Sequence, residues 1–81
     1  MKVKYVGRDI GVDGLINNHI YEVVCVDELT GYLSVIDERG EDYLYHPQNP
    51  RPIASAHHPG GRFEVVVDDE NKSLYKAIYG Y

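Results

Sequence analysis

Two turn sequences close together, Asp27-Glu28-Leu29-Thr30-Gly31 and Asp37-Glu38-Arg39-Gly40, constrain this chain more than any other feature. Asp37 can accept backbone N–H groups two residues on, and Gly40 can take the positive φ that closes a three-residue hairpin with a bulge. Gly31 suits the same part in the first turn. The flanking segments, Ile20–Glu28, Tyr32–Asp37 and Glu41–His46, are rich in Val, Ile, Leu and Tyr. Such branched or aromatic side chains pack well on a pleated, half-buried surface, so the stretch reads as a three-stranded antiparallel meander. Alternation along its first strand places Tyr21, Val23 and Cys25 on one face, and Ile20, Glu22, Val24 and Val26 on the other. Both faces carry apolar groups, which implies cover on both sides, and it makes Cys25 a buried small hydrophobe.

Outside the meander, Lys2–Gly7 alternates as a first strand with Val3 and Tyr5 inward. Arg8–His19, broken by glycines and asparagines, is an irregular connection that pins Leu15 and Ile16 to the body of the protein. The run His46–Pro52 cannot continue a ladder, because each proline removes a backbone donor. It reads as a stiff crossover. Arg62–Val67 returns to strand with Phe63 as a core anchor. The tail, Asp68–Tyr81, fits a short helix capped by Asp68 or Asp69, with Leu74 and Ile78 on one side, or else a sixth strand. In either form it is expected to dock over an outer patch of Val24, Val26, Ile36 and Val66.

Eighty-one residues make a single domain, here a body of residues 1–67 and a docking tail of residues 68–81. A lone cysteine excludes an internal disulfide and fits a reducing compartment. No stretch has the length of a signal peptide's apolar core or of a membrane span, so the expectation is a cytoplasmic protein without a membrane partner. Thirteen acids against eight scattered bases give a net charge of −5. Phosphate backbones are held by clustered cations, so nucleic acid is not an expected ligand.

Candidate chemistry is sparse. Asp9 and Asp13 have the wrong spacing for a helix-flanked Ca²⁺ loop and read as solvated loop acids. Pro47-Gln48-Asn49-Pro50-Arg51 has the composition of a polyproline ligand as well as of a stiff connection. His57 and His58 invite a transition-metal reading, with His46 or His19 completing a site, but adjacent histidines on an extended chain point in opposite directions. Ser55 and His57 can be drawn as nucleophile and base, yet no strand–turn–helix elbow surrounds the serine. The reading is therefore of no enzyme, no metal and no cofactor. Eight tyrosines remain to build an aromatic surface. Tyr32, Tyr43 and Tyr45 are the ones expected to stay partly exposed. With Pro50, Arg51, His57 and His58 they form the expected binding surface.

Leu15, Tyr21-Glu22-Val23, Asp37, Gly40-Glu41, Tyr43, Tyr45 and Arg62-Phe63-Glu64-Val65-Val66 together resemble a pattern in small uncharacterised SH3-like β-barrel proteins of Gram-positive bacteria, their phages and mobile elements. The resemblance covers residues 1–67. It departs at Asn18-His19, where Gly-Lys is usual, in a longer connection over residues 47–61, and in the added tail. What it implies is a mainly β fold, a partly open five-stranded SH3-like barrel with a C-terminal short helix or extra strand. Trp is absent, so the chain lacks the paired tryptophans of signalling-type SH3 domains. The functional expectation is a non-enzymatic protein-binding module with an unidentified protein partner. A self-assembling homo-oligomer is the alternative, and a metal-binding or hydrolytic protein using the histidine loop the third.

Overall fold

A computed structural model describes residues 1–11, 13–51 and 57–80. Five strands and one helix follow in the order β1 (Lys2–Gly7), β2 (Ile20–Val26), β3 (Leu33–Ile36), β4 (Asp42–Tyr45), β5 (Gly61–Val67) and α1 (Ser73–Tyr79). The protein is mainly β: one open antiparallel sheet in the order β4-β3-β2-β1-β5, with a single short helix after it. The meander therefore forms as expected, and the last strand returns to lie beside the first.

Both turns close as their residues dictate. Asp37 Oδ1 accepts the Arg39 N–H at 3.0 Å, and the Gly40 N–H bonds the Asp37 carbonyl at 2.9 Å with Gly40 at φ 78°. In the first turn Asp27 Oδ1 accepts from the Leu29 and Thr30 N–H groups at 2.8 and 3.2 Å, and Gly31 sits at φ 76°.

The start of β2 pairs with β1, and its later half pairs with β3. Between them the register slips, since Val23 faces Val35 while Cys25 faces Ser34. Val24 is the extra residue of a bulge, and an extra residue reverses the in-out alternation of everything that follows it. The expectation for Cys25 is corrected accordingly: it is exposed, and Val26 packs against the core in its place.

The core contains Val3, Tyr5, Leu15, Tyr21, Val23, Leu33, Val35, Tyr45 and Phe63. Tyr5 and Tyr45 both meet the Phe63 ring edge-on, at centroid distances of 6.1 and 6.5 Å. Tyr5 reaches that position because Gly7 and Gly61 face each other across β1 and β5. A Cβ on Gly61 would stand 2.7 Å from the Tyr5 ring and hydroxyl. Tyr5 then donates its hydroxyl to the Arg8 carbonyl, which anchors the start of the Arg8–His19 connection.

The tail is a helix, and its docking site differs from the expected one. Leu74 and Ile78 enter the main core; of the expected patch Val26 packs on that core and flanks the helix, whereas Val24 and Val66 remain exposed. Burial in the core removes more apolar surface from water than lying on a flat strand face. The helix is capped from upstream: Asp69 Oδ1 accepts the Ser73 N–H, and the two Asp68 oxygens accept those of Leu74 and Tyr75. Among the described residues no helix is long and apolar enough to cross a membrane.

Candidate functional site

The Arg8–His19 connection is held by polar nodes. The Tyr21 hydroxyl accepts the Ile16 N–H at 2.7 Å and donates to Glu38 at 2.6 Å, while His19 Nδ1 lies 3.2 Å from the same carboxylate. Burial and then the Glu38 bond raise the Tyr21 hydroxyl above its ordinary value, and the Tyr21 and His19 bonds lower Glu38. The connection is thereby stapled to the β3–β4 turn, whose Glu38 N–H also bonds the Gly14 carbonyl.

A second node surrounds Asp37, whose side chain has no solvent exposure. It accepts from the Tyr45 hydroxyl at 2.9 Å and from the Arg39 guanidinium at 3.1 Å, besides the turn N–H. Satisfying a buried carboxylate on several sides is what makes its burial tolerable. The Tyr45 hydroxyl is raised, first by burial and then by Asp37. Arg39 also lies 4.0 Å over the Tyr43 ring.

These nodes divide the three expected surface tyrosines. Tyr43 is 42% and Tyr32 37% exposed, but Tyr45 is a core residue at 7%, which corrects its assignment to the surface. Tyr43 and Tyr45 share a face of β4, and that face covers the core at one end and runs past its rim at the other. Tyr43 borders a shallow groove with Val24 and Ile36, whereas Tyr32 belongs to a different one. Pro50 is fully buried, a further correction, and Arg51 is exposed.

The histidines of the long connection act as turn acceptors. His46 Nδ1 accepts the Gln48 and Asn49 N–H groups at 3.1 and 3.2 Å. His58 Nδ1 accepts the Gly60 N–H at 2.8 Å, and its Nε2 meets the Asp9 carbonyl at 3.0 Å, so both ring nitrogens are engaged. His58 is half-buried and ties the end of the connection to the Arg8–His19 segment. His57 is exposed, and Ser55 lies outside the described residues. Among the described residues no three His, Cys, Asp or Glu side chains are grouped so as to hold a metal ion.

The larger groove, about 660 Å³, opens between α1 and the β2–β3 turn. Its aromatic wall is Tyr32 with His46, ring centroids 5.1 Å apart in an edge-on pair. Val26 and Ala77 contribute apolar surface, Asp27 and Glu28 an acidic edge, and Lys76 a cation on the α1 side. Of the expected surface only Tyr32 lies here. Val26 belongs to the patch on which the tail was expected to dock, and it does meet the helix here, whereas Ala77 and Lys76 owe their place to the seat of the helix. The signal that could have found His46 was its position opposite Tyr32 at the far end of the hairpin, next to Leu33↔Tyr45. The groove offers a concave aromatic and apolar surface with charged margins, the composition of a recognition site. Comparison with family models, with curated proteins and with solved structures found no match for this chain.

Proposed function

We propose that this chain is a non-enzymatic protein-binding module on an SH3-like barrel, and that the groove at Tyr32 and His46 holds an extended segment of a protein partner. The barrel reading draws support from the strand order β4-β3-β2-β1-β5 and from a bulged β2 that serves β1 with one half and β3 with the other. The binding reading is carried by one observation: an open groove lined by an aromatic pair beside apolar Val26 and Ala77. Aromatic side chains at such positions supply a large contact area at small entropic cost.

A peptide display library selected on the intact protein tests this. Selected peptides are expected to lose about tenfold or more in affinity on Tyr32→Ala, the loss typical of removing an aromatic anchor. Because Tyr32 is a rim residue, the far-UV circular dichroism spectrum is expected to stay unchanged. Equal binding by the variant would overturn the assignment. Tyr45→Ala is not a surface test, since it would empty the core.

A further inference from the structure

The two hairpin turns carry the same chemical parts, except that one of them holds an arginine. Each opens Asp-Glu, each bonds the first aspartate's Oδ1 to the N–H two residues on, and each has a left-handed glycine with a tyrosine within the next three residues, Tyr32 after Gly31 and Tyr43 after Gly40. In the second turn the residue bonded to the aspartate is Arg39. Its guanidinium covers the Tyr43 ring and pairs with the Asp37 carboxylate. In the first turn that residue is Leu29, which is 96% exposed and covers nothing. Tyr32, its His46 partner and Glu28 line an open groove. Among the described residues no cation lies within ion-pair distance of Glu28.

We propose that this groove seats an arginine side chain of the partner, its planar guanidinium against Tyr32 and His46 and paired with Glu28. The inference rests on the groove reading above and adds the chemistry of the occupant. Guanidinium suits the place better than ammonium, because it stacks on aromatic faces and presents donors in a fixed fork. Lys76, the groove's cation among the described lining residues, stands on the α1 side and gives the site a direction. The arginine enters toward the Asp27–Glu28 turn, and an acidic or carbonyl group of the partner faces Lys76.

The test is titration of ¹⁵N-labelled protein with N-acetyl-arginine N-methylamide, alongside its lysine counterpart and its citrulline counterpart, which keeps the shape and lacks the charge. Saturable shifts are expected at the amides of Glu28, Tyr32 and His46, with binding roughly fivefold weaker for lysine and about tenfold weaker for citrulline. Glu28→Gln should weaken the arginine probe about fivefold, and Lys76→Gln should strengthen it. Equal binding of citrulline, shifts centred elsewhere or no saturable shift would overturn the proposal. Library peptides that need Tyr32 but carry no arginine and ignore Glu28→Gln would remove this inference alone. Peptides indifferent to Tyr32→Ala would remove the groove reading with it.

Discussion

Asp37 performs three tasks with one carboxylate: it shapes a turn, receives the Tyr45 hydroxyl from the core and fixes Arg39 over Tyr43. The turn role is legible in sequence, because an aspartate two residues before the middle of a tight turn has a local partner whatever the rest of the chain does. The core role is not, since alternation gives Tyr43 and Tyr45 the same face and says nothing of which lies over the centre. Protonation equilibria follow from these contacts. The folded state holds the Glu38 and Asp69 carboxyls below their ordinary values, through Tyr21 and His19 for one and Ser73 for the other. The stability they bring is complete above the ordinary carboxylate range and is lost as pH falls through the lowered values. For Tyr5, Tyr21 and Tyr45 the hydroxyls are raised, chiefly by burial. Their contribution is complete below about pH 10 and is lost as pH rises through the raised values. In an alkaline titration, part of the tyrosinate absorbance should therefore appear only together with loss of the circular dichroism signal. Full ionisation of every tyrosine in a still-folded protein would contradict this.

Strands and turns were readable as elements because period-two alternation and left-handed glycines are local signals. Where the reading failed, the cause was a single inserted residue or a tertiary choice. Val24 leaves no trace in composition, yet it turns Cys25 out and Val26 in. The helix was foreseeable from its acids and its Leu74–Ile78 spacing, but its seat depended on tertiary packing against β5 and β2. Its stability separates into two measurable parts. Removing the upstream caps with Asp68→Ala or Asp69→Ala should each destabilise the protein modestly. Leu74→Ala, which empties a fully buried site, should cost roughly 3 kcal/mol. Urea unfolding of the single variants checks the order. A Leu74→Ala loss no larger than the cap losses would mean that the helix lies on the protein without completing its core.

For the molecule as a whole, the meander was legible, and so was the pairing of a late strand with the body. The groove beside Tyr32 was not, because it joins Tyr32, His46 and Lys76 from three separate segments. The position of β1 between β2 and β5 has a further consequence, in time rather than in space. β2, β3 and β4 find their partners across short turns, whereas β1 must meet β5 from the other end of the sequence, Tyr5 against Phe63. Closing a long loop costs entropy before any contact repays it, so the expected order is meander first and β1–β5 closure last. Val35→Ala should then slow refolding, while Phe63→Leu should chiefly hasten unfolding. Stopped-flow chevrons of the two variants would read this directly, and a Phe63→Leu effect confined to the refolding arm would reverse the sequence of events. On this order, the ring contact that completes the interior is the last to form and the first to open.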